Sequence, residues 1–239
     1  MKLNSACFFH IPNDNKPYKQ TATKLDTSEL KMLDIAVVRV LSILFAVGSM
    51  GNLFAYGFFS KERKNLGTVK ASKNTGFILN QGWGLLTIFI PIIVYLLGAI
   101  VPDWVYKTVL NASFGGAEYL QVASVPIFLL AVFITVWSTR TLGQLMRRRV
   151  VVIDKQELVT NGPYSRIRHP MYTGLMLLTL VPVFLFLNIV LVVLFFACVG
   201  IAYKRAVIEE ELLASDGGYG QVYRDYMQKT GRFLPKLIR

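Results

Sequence analysis

MYTGLMLLTLVPVFLFLNIVLVVLFFACVGIAY, Met171–Tyr203, decides the fold. A helix crossing the hydrocarbon layer needs roughly 20 apolar residues, so this run is too long for one span and too short for two full ones. Pro182 and Asn188 interrupt its middle, Arg166 and Arg168 precede it, and Lys204 and Arg205 follow it. A hairpin of two short or tilted helices, with both basic ends on the cytoplasmic side, satisfies these facts together. The alternative, one long tilted span, would carry the polar segments on its two flanks to opposite sides.

Three further apolar blocks lie upstream. The first, about Ile35 to Phe59, contains Arg39, placed where it can reach headgroups, and small residues suited to close helix packing. The second, Phe77 to Val101, contains Pro91, and the third, Tyr119 to Trp137, contains Pro126. Basic loops follow the first block (Lys61, Arg63, Lys64, Lys70, Lys73) and the third (Arg140, Arg147, Arg148, Arg149). The positive-inside rule puts both in the cytoplasm. The expected fold class is therefore all-α: a polytopic membrane protein of about five transmembrane helices including a C-terminal hairpin, with an external N-terminus and a cytoplasmic C-terminal cofactor-binding segment. The expected division is a polar N-terminal tail over 1–32, three transmembrane helices over 33–143, and a core over 144–239.

Composition supports this. Apolar residues make up 54% of the chain, and the net charge of +12 sits in loops beside the apolar blocks. That charge reads as topology and excludes nucleic acid as the expected partner. Met1–Leu30 lacks an apolar core behind a basic start and is not read as a cleavable signal. Cys7 and Cys198 make neither a disulfide framework nor a metal site. Asn111-Ala-Ser113 is a glycosylation triplet in an external loop, a pattern frequent by chance.

Chemistry is concentrated on the hairpin's flanks. Before it, Leu158-Val-Thr-Asn-Gly-Pro-Tyr-Ser-Arg-Ile-Arg-His-Pro-Met-Tyr-Thr-Gly174 is dense in polar and turn-forming residues. His169-Pro170 should end the loop and start a helix, gathering Arg168, His169 and Tyr172 at its positive end, where an anion such as a carboxylate could be held. The competing role is an interfacial anchor. After the hairpin, Glu209, Glu210 and Glu211 stand one or two turns beyond the apolar run, where carboxylates near hydrocarbon need a partner or a task. The hairpin would make the Arg168–His169 loop that partner; otherwise the three acids are a solvated cap. A polar, aromatic segment with Tyr223, Tyr226 and Met227 completes the chain as an interfacial helix.

The ordered motifs Leu-Val-Thr-x-Gly-Pro-Tyr, Arg-His-Pro-x-Tyr-x-Gly, hairpin, Glu-Glu-x-x-Leu, Tyr-Gly-x-x-Tyr and Arg-Phe-Leu-Pro, over Leu158–Pro235, resemble the isoprenylcysteine carboxyl methyltransferase and phospholipid methyltransferase superfamily. The resemblance implies an integral membrane enzyme using S-adenosyl-L-methionine. His169, Pro170, Tyr172 and Gly174, with Glu209, Glu210 and Leu213, match the cofactor-side motifs. Glu209 would also face the cofactor's positive charge, and Arg168 and Arg232 match basic positions near the acceptor. No metal is implied. There are two departures: Tyr219-Gly220 falls six residues after Leu213, where the family commonly has Phe-Gly at four, so either two residues are inserted or the matching glutamates are shifted by one or two; and Met1 to about Thr139 carries no matching motif.

Methyl transfer to the carboxylate of an isoprenylated cysteine is the preferred expectation, with a lipid-modified or lipid acceptor reached from the membrane. Phospholipid N-methylation, NADPH-dependent sterol reduction, and a scaffold or transporter role are the alternatives. The expected location is the endoplasmic reticulum in a eukaryote or the inner membrane in a bacterium.

Overall fold

The computed structural model describes residues 32–59, 69–72, 76, 79, 82–102, 111–143, 151–153 and 157–236. The helices are α1 (Ile35–Phe59), α2 (Trp83–Ile100), α3 (Ala117–Leu142), α4 (Pro170–Phe186), α5 (Ile189–Ala214) and α6 (Gln221–Lys229). The chain is a helical, polytopic membrane protein. Helices α1, α3 and α5 are long and apolar enough to cross a membrane, whereas α2 and α4 contribute shorter apolar stretches. Large apolar side chains such as Leu44, Leu129, Phe133 and Phe196 point outward, while Phe45, Tyr95, Leu178, Leu185 and Phe186 fill the interior. Apolar residues on both the outside and the inside are what a hydrocarbon solvent requires.

The hairpin has the expected form. Helix α4 ends at Leu187, whose φ of 49° reverses the chain. Asn188 then caps α5 by accepting a hydrogen bond from the Val190 amide at 2.9 Å. The Asn188 amide also donates to Asn111 Oδ1 at 2.7 Å, and Asn111 Nδ2 donates to the Phe186 carbonyl at 3.4 Å. Asn111 is thereby a structural brace for the turn, a role that the glycosylation triplet did not suggest. Deeper in, the buried Gln121 donates to the Leu185 carbonyl at 2.8 Å and accepts from the Leu33 amide at 2.8 Å. Backbone groups at helix ends that water cannot reach are satisfied in this way.

Helices α3 and α4 approach closely because Gly174 has no side chain. A Cβ there would collide with the Thr135 hydroxyl and crowd the Ala131 carbonyl. Small residues permit such contacts where apolar burial alone does not drive helices together. A short antiparallel ribbon, unforeseen from sequence, pairs β1 (Val69–Ser72) with β2 (Val151–Ile153). It joins segments that follow α1 and α3 in the chain. Arg147–Arg149 and most of the first basic loop lie outside the described residues, as do Cys7 and the N-terminal tail to Lys31.

Candidate active site

Helix α5 runs well past the apolar block, to Ala214, and its last turns carry Arg205, Glu209 and Glu210 alongside the start of α4. The hairpin makes these two helix ends neighbours. Pro170 occupies the first position of α4, where its missing amide costs nothing, and His169 precedes it in a non-helical conformation. Upstream, Gly162–Ser165 form a 3-10 turn with Gly162 at a φ of 56°. The C-terminal segment closes the arrangement as a parallel bridge. The Arg168 amide donates to the Gly231 carbonyl at 2.8 Å, the His169 amide to Arg232 at 3.0 Å, and the Gly231 amide to Arg166 at 3.1 Å.

Glu210 is the hub, its side chain only 7% exposed. It accepts hydrogen bonds from Arg168 Nε at 2.8 Å, from Arg232 Nε at 3.1 Å to each oxygen, and from Arg232 Nη2 at 2.7 Å. His169 Nε2 lies 3.2 Å away. A carboxylate so surrounded repays its loss of water through charge-assisted hydrogen bonds. The hydrogen bond to Glu210 raises Arg232 above its already high range. Arg168 also reaches the carbonyls of Met227, at 3.1 Å, and Thr230. It ties the loop before α4 to the end of α6.

Glu209 has a different environment. Its carboxylate accepts from the Tyr172 hydroxyl at 2.6 Å and stands 4.0 Å from His169 Nδ1, with its side chain 30% exposed. Tyr172 is fixed from several sides: its ring stacks on His169 at 5.1 Å, meets Trp83 edge-on at 5.5 Å, and its oxygen accepts from Arg205 Nε at 2.5 Å. Arg205 is 5% exposed and also donates to the Leu79 carbonyl. Arg232, 28% exposed, lies 4.9 Å from the centre of the Tyr203 ring.

Arg168, His169, Pro170, Tyr172, Glu209, Glu210 and Arg232 thus converge within one site. Glu211 projects outward and is exposed. Gly174 lies one turn along α4, where it packs against α3, and Leu213 lies where α5 ends, its carbonyl accepting from the Tyr219 amide at 2.8 Å. The turn between α5 and α6 covers Ser215–Gly220, and Tyr219-Gly220 stands at its end, six residues after Leu213. Arg205, in the sequence only a basic flank of the apolar run, is a member of this site. Tyr164 and Tyr226 support the floor, with the Tyr226 hydroxyl donating to the Tyr164 carbonyl at 2.5 Å. Burial raises both phenols, Tyr226 to about 12.

Residues 124–215 match the model of the Isoprenylcysteine carboxyl methyltransferase (ICMT) family. Over that stretch, which is less than half of the chain, the sequence is similar to this family. The match begins inside α3, which Gly174 brings against α4, and stops before the Tyr223 and Arg232 motifs. No curated protein matches the chain. Among solved structures, a eukaryotic intramembrane Ras methyltransferase ICMT is similar at 20% identity and a TM-score of 0.46, over 69% of this chain. The chain spans about half of that structure, 55% of its length.

Proposed function

We propose that this protein is an S-adenosyl-L-methionine-dependent membrane methyltransferase that esterifies the C-terminal carboxylate of an isoprenylated cysteine. The observation that carries the reading is the unequal treatment of two adjacent acids within the segment that matches the family. Glu210 is neutralised by Arg168 and Arg232, whereas Glu209 accepts from a neutral hydroxyl, meets no arginine among the contacts described, and retains exposure. A partly exposed carboxylate beside aromatic rings fits a cationic ligand, so Glu209 is the residue suited to the cofactor's positive charge. His169 and Pro170 shape the wall beside it at the start of α4.

The cofactor supplies an electrophilic methyl group on a sulfonium, and the protein supplies position and a site sheltered from water. The acceptor's chemistry follows from the cations. A carboxylate is already ionised at neutral pH and needs a positive group to hold it. Arg232 retains exposure while gripping Glu210, and it lies over Tyr203, which is exposed on α5. An amine acceptor would instead need a base, and Glu210 is saturated with donors. The lipid chain would approach from the bilayer, and the membrane is that of the endoplasmic reticulum in a eukaryote or the inner membrane in a bacterium.

Labelled methyl transfer by the purified protein tests this. N-acetyl-S-farnesylcysteine should become base-labile methyl ester, while phosphatidylethanolamine should not be labelled. Labelling of the phospholipid alone would move the reading to N-methylation, and turnover of NADPH with a sterol would move it to the reductases.

A further inference from the structure

Arg205 stands outside every motif quoted above, yet it is joined to the motif residue Tyr172. Arg205 lies one helical turn before Glu209 on α5, so both project toward α4. Arg205 donates Nε to the Tyr172 oxygen at 2.5 Å, and Tyr172 in turn donates its proton to Glu209 Oε2 at 2.6 Å. Because Arg205 lacks an acceptor atom, the direction of this chain is fixed: guanidinium to phenol, phenol to carboxylate. A phenol oxygen that accepts from a cation becomes a stronger donor, and hydrogen bonds in series reinforce one another.

The chain is also held at its far end. Arg205 donates to the Leu79 carbonyl, ahead of α2, and its guanidinium lies 5.8 Å from the centre of the Tyr172 ring. Trp83, the first residue of α2, meets that ring edge-on while His169 stacks on its face. The rotation of the phenol about its axis is therefore set by three elements. Only the last member, Glu209, has appreciable exposure.

We infer that Arg205 is a positioning residue: through Tyr172 it aims the Glu209 carboxylate at the cationic part of the methyl donor and so sets cofactor affinity. This rests on the methyltransferase reading above. Tyr172 then belongs to the site as a linker whose hydroxyl is committed to Glu209.

The test is a set of S-adenosylhomocysteine affinities for the full-length protein and its Tyr172→Phe, Arg205→Lys and Glu209→Gln variants, with the double variants. Lysine keeps the charge of Arg205 but lacks its planar fork. Tyr172→Phe and Arg205→Lys should each weaken binding about tenfold, the scale of one charge-assisted hydrogen bond. Arg205→Lys should cost nothing more in the Tyr172→Phe or Glu209→Gln background, a coupling that a purely structural role would not give. Equal losses in every background, or no loss in Tyr172→Phe, overturn the relay. Should Arg205→Lys fail to fold, Tyr172→Phe alone decides it. A wild type that binds no S-adenosylhomocysteine overturns the methyltransferase reading and the relay together, whereas binding that Tyr172→Phe leaves intact overturns the relay alone.

Discussion

Arg232 meets Glu210 side-on, with Nε 3.1 Å from both carboxylate oxygens and Nη2 2.7 Å from Oε2. Arg168 reaches the same carboxylate from the loop before α4, so one acid joins the loop, the end of α5 and the segment after α6. Removing it leaves buried and half-buried cations unpaired. Glu210→Ala should lower stability by about 3–5 kcal/mol, the cost of breaking a buried pair from one side. Thermal unfolding in detergent measures this, and a variant that melts with the wild type would mean that the cluster holds nothing together.

Arg232 and Arg168 should separate by function. Arg168 donates to Met227 and Thr230 as well as to Glu210, so Arg168→Ala should lower the melting temperature. Arg232→Lys keeps the charge but loses the fork. It should reduce kcat/KM for the farnesylcysteine acceptor about tenfold or more while leaving S-adenosylhomocysteine affinity in place. Parallel losses of both would argue that Arg232 serves the cofactor instead.

Gly174→Leu should push α3 and α4 apart, because even a Cβ meets Thr135 and Ala131. Overpacking of this kind costs about 1–3 kcal/mol. A cysteine pair engineered across α3 and α4 near this level should crosslink in the wild type and lose efficiency in the variant; unchanged crosslinking would place the helices farther apart than described.

Tyr226 gives a pH prediction of definite sign. Burial raises its folded pKa to about 12, above the ordinary phenol value of 10.0, so between these values the unfolded chain has lost a proton that the folded chain keeps. Stability therefore falls as pH rises through that window. Tyr226→Phe should flatten this alkaline loss in melts recorded as a function of pH. An unchanged slope would assign the loss to other groups, Tyr164 first among them.

The hairpin was legible because length is a physical constraint: Met171–Tyr203 cannot be one comfortable span, and Asn188 is a capping residue where a second helix had to start. The meeting of Arg168 and His169 with the glutamates followed from it. The division of labour between Glu209 and Glu210 was not legible, since adjacent helical residues point about 100° apart and only the packing decides which meets the arginines. Lys204 and Arg205 look alike as a basic flank, yet Lys204 is exposed and Arg205 is buried against Tyr172. Gly174 carries a motif position whose visible role is the α3–α4 contact. The β1–β2 ribbon was missed because strands of four and three residues leave no periodic signal.

The central claim is that Glu209 receives the cation of the methyl donor while Glu210 holds the site together. Calorimetric titration of S-adenosylhomocysteine into the wild type and Glu209→Gln, with NADPH as a control and a melt of each protein, tests it most directly. The account predicts saturable wild-type binding, at least tenfold weaker binding by a Glu209→Gln variant that melts normally, and no binding of NADPH. Wild-type affinity in Glu209→Gln, or binding of NADPH in place of S-adenosylhomocysteine, would contradict it.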